Sequence, residues 1–238
     1  MGAALKKLKR GFRQLCPPVL LPLVTKAYQS ASRAVPSDGQ VHHPVSQDLD
    51  IYWDPEMAQI LESWGDGNVW TEIQLLMADR AGRVLDIACG TGKTMSVLKK
   101  FSELELHGCD ISDRLIEMAQ ERGIAREYLR VCDATQLPYE TGRFQHAYSI
   151  GSIEHFTEDG IHRFLLECRR VATHSTFHQN PVSRDGRDHG WIKTFQSYFN
   201  NSVDWWLVHY QGIYKHVEVI ESRWEDDRSV GKWFICRK

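Results

Sequence analysis

Val84-Leu85-Asp86-Ile87-Ala88-Cys89-Gly90-Thr91-Gly92-Lys93-Thr94 is the stretch on which the fold turns. An apolar run ends in small residues that open an amphipathic segment, as where a strand turns into a helix and leaves its backbone open to a ligand. Two nucleotide motifs are excluded by position. A P-loop needs glycine five residues before Gly92-Lys93-Thr94, where Ile87 stands, and a dinucleotide fingerprint needs Gly or Ala at 95, where Met95 stands. The turn is therefore not expected to cradle a pyrophosphate.

Working outward, short apolar runs alternate with amphipathic stretches. Strands are predicted at 83–88, 105–109, 127–132, 145–150 and 173–178, with helices near 92–101, 112–122 and 159–171. Such alternation implies a parallel sheet covered on both faces. Upstream, Asp54 and Pro55 are placed as N-cap and first residue of a helix to Leu61, and a second helix is predicted over Val69 to Asp79. Downstream, Thr194 to Tyr210 reads as one aromatic-rich helix. His216 to Ser222 and Lys232 to Arg237 read as a hairpin joined by the polar segment Arg223 to Gly231.

Three acids fall at successive strand ends: Asp86, Asp110 in Gly108-Cys-Asp110-Ile111-Ser, and Asp133 in Cys132-Asp133-Ala134. An acid at the second strand's carboxyl end can accept both hydroxyls of a ribose, and one at the third can accept from an adenine amino group. Asp86, if buried, needs a ligand amino group or the turn's amides as partner. Any one of them alone could be a helix cap or a surface charge; three in succession are harder to explain so.

These motifs together resemble the class I S-adenosylmethionine-dependent methyltransferases across residues 80 to 175. The resemblance implies a Rossmann-like α/β fold, doubly wound, with a mainly parallel seven-stranded sheet and an antiparallel C-terminal hairpin. It implies S-adenosyl-L-methionine as cofactor, with Asp86, Ala88, Gly90 and Gly92 at its methionine part, Asp110 and Ile111 at the ribose, Asp133 and Ala134 at the adenine, and Ile150 near the methyl. In many relatives a Glu-His pair follows the fourth strand, here Glu154-His155. His155 is the first candidate for the base that an alcohol acceptor requires, although it could instead only pack. His178 is the alternative. Some relatives carry a Glu-x-x-Glu-His metal site; its first position is Gly151 here, so no metal is expected.

Tyr52 and Trp53, whose rings could cover a sulfonium by cation–π attraction or merely pack, are candidate acceptor-pocket residues with Glu154, Asn180 and Trp191. The reading that follows is methylation of a small polar acceptor, oxygen favoured over nitrogen, with a sugar hydroxyl in a membrane-associated glycan pathway as recipient. An N-methyltransferase, a NAD-type oxidoreductase and a non-catalytic cofactor-binding partner subunit are the rivals.

Length and charge complete the picture. At 238 residues one domain is expected, divided as a basic arm and linker over 1–48 and a methyltransferase domain over 49–238. The formal charge of −2 conceals an asymmetry: residues 1–35 hold seven bases and no acid, and the remainder holds 22 bases against 31 acids, a count of −9. Leu5, Leu8, Phe12 and Leu15 recur at helical spacing among Lys6, Lys7, Lys9, Arg10 and Arg13, a pattern suited to peripheral contact with an anionic membrane or to docking on the domain itself. The Lys-rich, Pro-Pro start is also similar to the N-termini of bacterial polysaccharide-modifying enzymes. Nucleic acid is not expected as a partner of the acidic body. Six scattered cysteines without a CxxC pair read as buried thiols in a reducing, cytosolic compartment.

Overall fold

A computed structural model describes residues 46–238. The amphipathic arm and most of the linker lie outside the described residues. Residues 46–192 and 196–238 belong to one compact unit. Its strands are β1 (Gly82–Ile87), β2 (Leu104–Asp110), β3 (Leu129–Val131), β4 (Phe144–Ile150), β5 (Ala172–Ser183), β6 (Trp191–Ile192), β7 (Tyr198–Phe199), β8 (His216–Glu225) and β9 (Ser229–Arg237). Its α-helices are α1 (Pro55–Leu61), α2 (Val69–Met77), α3 (Lys93–Leu98), α4 (Asp113–Glu121), α5 (Glu158–Val171) and α6 (Val203–Gln211).

Seven strands form one sheet in the order β3-β2-β1-β4-β5-β9-β8. The first five are parallel, β9 runs antiparallel to β5, and β8 antiparallel to β9. This is the Rossmann-like methyltransferase fold with its C-terminal hairpin. The β1 residues Val84 to Ile87 are all buried, because helices cover both faces and leave no solvent side on which to place polar residues.

On one face, α5 presents Ile161, Phe164, Leu165, Cys168 and Val171, spaced for a single stripe, and α6 adds Trp206 and Tyr210 against Phe234. Thr157 caps α5 by accepting from the Gly160 amide at 3.1 Å, with Glu158 and Asp159 in the first turn and Arg169 and Arg170 in the last, matching the helix dipole. On the other face, Trp70, Ile73 and Met77 of α2 pack against Val84, Tyr148, Phe177 and Trp233.

Three segments differ most from the sequence reading. The single helix expected over Thr194 to Tyr210 is a short β6–β7 ribbon followed by α6, which starts only at Val203. Ser202 stops it there by accepting from the Trp205 amide at 3.2 Å, and Asn201 Oδ1 is held by the Gly190 amide at 2.6 Å. The polar segment Arg223 to Gly231 is mostly strand: the turn is Asp226 to Arg228, with Asp226 Oδ1 accepting from the Arg228 and Ser229 amides at 2.8 and 2.7 Å. The polarity of residues 223–225 is that of an edge strand with one wet face, which the alternating burial of β8 shows. Finally, β5 continues to Ser183 through Pro181. Pairing with β4 ends at Gln179, so the missing Pro181 amide breaks no ladder on that side.

Glu72 on α2 ties that helix to the hairpin, accepting from Ser222 Oγ at 2.7 Å, the Arg223 amide at 2.6 Å and Trp233 Nε1 at 2.7 Å. Glu72→Ala orphans the buried indole N–H and is expected to lower unfolding free energy by about 2 kcal/mol, checked by urea denaturation against wild type.

Candidate functional site

The turn after β1 is built from left-handed residues. Ala88 has φ 59°, and Gly90 and Gly92 have φ 54° and 71°. Gly92 is required for space as well, because a Cβ there would lie 2.5 Å from Ile124 and 3.0 Å from Ala119 of α4. Asp110, at the end of β2, closes the turn: Gly90 donates its amide to Oδ2 at 2.9 Å and Ser112 donates to Oδ1 at 3.0 Å. Burial nonetheless raises the Asp110 carboxyl above its ordinary pKa, against the lowering effect of these amides.

Asp86 accepts from Tyr148 Oη at 2.9 Å. Burial, with the nearby Asp110 charge, holds its carboxyl well above the usual carboxylate range despite that bond. Two buried carboxyls beside one small-residue turn favour a cationic or hydroxyl-bearing occupant. A cavity against the turn is lined by Asp86, Ala88, Gly90, Trp64, Trp70 and Ile150 among others.

Asp133 is exposed, and its Oδ1 accepts from the Thr135 amide and hydroxyl, both at 2.8 Å. Its neighbour Ala134 is buried, Ile111 is half-buried, and the Cys132 amide donates to the Asp110 carbonyl at 2.9 Å, joining the ends of β2 and β3. Tyr52 stands between the acids of the turn and those after β4. Its carbonyl accepts from Ser112 Oγ at 2.8 Å, its hydroxyl accepts from Gln196 Nε2 at 3.0 Å, and burial, opposed by that bond and reinforced by the Asp110 and Glu154 charges, raises its pKa. Trp53 instead lies at the surface, 40% exposed, with Nε1 donating to Asp113 at 2.8 Å.

Glu154 and His155 occupy a single turn of 3-10 helix after β4, both buried. His155 Nδ1 is 2.8 Å from the Ser197 carbonyl, which can only accept, so Nδ1 carries the proton and Nε2 is the bare nitrogen. Burial pulls the ring's pKa down to about 4. Nε2 lies 3.5 Å from Glu154 Oε1, while Glu154 Oε2 has no partner, and burial pushes this carboxyl up to about 8.

The other candidates lie elsewhere. His178 has no exposed surface, and its nitrogens meet Ser149 Oγ at 2.8 Å and Thr176 Oγ1 at 3.0 Å. Burial takes its pKa down to about 3. Asn180 accepts from Tyr210 Oη at 2.9 Å in the same layer, and Trp191 packs edge-on to Phe199 at 5.0 Å. Among the described residues no cluster of three or more His, Cys, Asp or Glu could hold a metal, and no helix is long and apolar enough to cross a membrane. The five described cysteines are free, four of them buried. Sequence reading missed Tyr148, Ser112, Gln196 and Trp64.

Residues 84–175 match the family model of a methyltransferase domain, a segment that holds the glycine turn and the three strand-end acids Asp86, Asp110 and Asp133. Among curated proteins, the chain is 36% identical over 105 residues to one named "Probable tRNA methyltransferase 9B" of Mus musculus, covering 43% of this chain and 22% of that protein. It is 33% identical over 112 residues to the demethylmenaquinone methyltransferase of Thermotoga maritima, covering 46% and 48%. The chain thus spans about half or less of these relatives' length. In fold it is similar to a Haloferax volcanii methyltransferase solved with the Trm112 activator, at TM-score 0.63 and 14% identity over 81% of this chain and 98% of that one. It is also similar to the 1,6-didemethyltoxoflavin-N1-methyltransferase of Burkholderia thailandensis, at 0.61 and 16% over 80% and 84%.

Glu154 and His155 set a stability signature. The folded Glu154 keeps its proton to about pH 8 whereas the unfolded one releases it above 4.5, so this group makes stability fall with rising pH across that window. His155 acts oppositely, from about 4 to 6.5, because only the unfolded ring is protonated there. Between pH 6.5 and 8 Glu154 contributes about 2 kcal/mol of loss, and Asp86, whose carboxyl burial also raises, acts in the same direction. In urea titrations at the two pH values, Glu154→Gln should lose about 2 kcal/mol less than wild type.

Proposed function

We propose that this chain is an S-adenosylmethionine-dependent methyltransferase that methylates a hydroxyl oxygen of a small polar acceptor, a sugar in a membrane-associated glycan pathway being the specific recipient. The observation that carries the reading is the pairing of the Asp110-clamped glycine turn with a neutral His155 whose Nε2 is bare. The residues present fit the cofactor: left-handed small residues leave the backbone open, and the buried acids suit a cation. When bound, the cofactor supplies an electrophilic methyl on a sulfonium.

The chain's own residues do the rest. Gly90 and Gly92 admit the methionine part beside Asp86 and Ala88, Asp110 and Ile111 hold the ribose, and Asp133 with Ala134 borders the adenine. Ile150 would give the bound cofactor an apolar wall, and Tyr52 would cover it. His155 Nε2 takes the acceptor's hydroxyl proton while the Ser197 carbonyl holds the ring in the required tautomer. Glu154, protonated at neutral pH, keeps an unpaired charge away from that nitrogen. His155 is preferred to His178 because both nitrogens of the latter are already engaged inside the core. The net charge of −9 outside the first 35 residues favours a small acceptor over the tRNA named for some relatives.

Titration calorimetry should show S-adenosylhomocysteine binding, weakened about 100-fold in Asp110→Ala. Binding of NAD in its place would overturn the assignment. His155→Ala should keep that affinity and lose about 10²–10⁴-fold in kcat, measured on a panel of nucleotide sugars, glycolipids and phenols. Since His155 stays neutral down to about pH 4, wild-type turnover should hold to about pH 5 and fall below it. The arm is proposed to hold the enzyme at anionic membranes, so removing residues 1–30 should abolish flotation with anionic liposomes.

A further inference from the structure

Gln179 is 1% exposed, and neither its Nε2 nor its Oε1 has a hydrogen-bond partner. Leaving both ends of an amide unpaired in a folded interior is costly. Gln179 is the last β5 residue in register with β4, opposite Ile150. Registered neighbours in a sheet project to the same face, and Ile150 lines the cavity against the glycine turn. A Cβ on Gly231 would lie 2.7 Å from Gln179 Nε2, so the amide lies across a residue whose missing side chain makes its room. The Gln179 carbonyl accepts from the Gly151 amide at 2.8 Å. A Cβ on Gly151 would lie 3.1 Å from Trp64 and 3.8 Å from Glu154 Oε1, so the same strand end borders an indole and the carboxyl beside His155. Glu154 Oε2 is unpaired too.

We propose that Gln179 is the specificity residue for the acceptor and reads two adjacent hydroxyls, Nε2 donating to one oxygen and Oε1 accepting from the other, with the Trp64 ring as the apolar wall for the carbons that carry them. An anion satisfies Nε2 and leaves Oε1 bare; an ammonium does the reverse. A carboxamide satisfies both atoms but brings no hydroxyl for His155 to deprotonate. A vicinal diol satisfies both and supplies the oxygen to be methylated. The inference rests on the methyltransferase reading above and narrows its acceptor to a polyol such as a pyranoside.

The test uses the full chain loaded with S-adenosylhomocysteine and saturation-transfer NMR with methyl pyranosides of manno, galacto, gluco and rhamno configuration, with cyclohexanol and nicotinamide as controls. At least one pyranoside should receive saturation well above cyclohexanol. Gln179→Met should reduce that signal about five-fold or more, with S-adenosylhomocysteine affinity held within about two-fold and the melting temperature unchanged or raised, because unpaired polar atoms have been removed from the interior. Should the Met variant fail to fold, Gln179→Asn, which keeps the amide but shortens its reach, should show the same loss. Equal signal in the soluble variant, signal from nicotinamide alone, or no pyranoside signal overturns the proposal. Failure of wild type to bind S-adenosylhomocysteine would instead overturn the reading beneath it.

Discussion

The carboxylate of Asp110 holds the functional end of this molecule together. It receives amides from Gly90 and Ser112, and so joins the turn after β1 to the start of α4. Ser112 in turn caps α4 through the Leu115 amide at 3.3 Å and donates its hydroxyl to the Tyr52 carbonyl. One buried acid thereby sets the turn, the helix that flanks it and the aromatic residue beside it. A buried carboxylate tolerates such a place only when amides compensate its desolvation, and the left-handed turn exists to aim one of them.

The histidines show how burial divides residues of equal chemistry. His155 and His178 are both enclosed and both held neutral, at about 4 and about 3. His178 is satisfied at both nitrogens by hydroxyls and meets Phe164 and Tyr210 with its ring, so it behaves as a polar core residue. His155 is satisfied at one nitrogen only, and the other faces a carboxyl that keeps its proton at neutral pH. The difference is one hydrogen bond: both nitrogens of His178 are engaged by hydroxyls, and one nitrogen of His155 is left without one.

Much of the architecture was legible because it depends on local periodicity. β1, β2, β4, α4 and α5 fall within a residue or two of their expected places, and Asp54 caps α1 by accepting from the Glu56 amide at 2.8 Å. The misreadings share a cause. The 191–210 segment carries aromatic residues at helical spacing throughout, but Ser202 and Asn201 spend their side chains on local amides and start the helix late. Residues 223–225 looked like loop because an edge strand keeps polar residues on its wet face, and 229–231 because Ser229 and Gly231 bring little apolar side chain to an interior strand. At the site, the glycine turn and Asp110 could be read from small residues and strand-end acids. Tyr148 on Asp86, Gln196 on Tyr52 and Ser197 on His155 could not, since each joins residues 42 to 144 positions apart.

By itself the sequence determined the strand-helix alternation, the glycine turn and its acids, because a turn and the periodicity of an element are settled by neighbours along the chain. Only the tertiary structure decided which histidine has a bare nitrogen, which carboxyl keeps its proton and which amide is left without a partner. Those properties depend on what is packed around a group after folding, since desolvation and hydrogen-bond satisfaction are set by residues that the chain brings from far away.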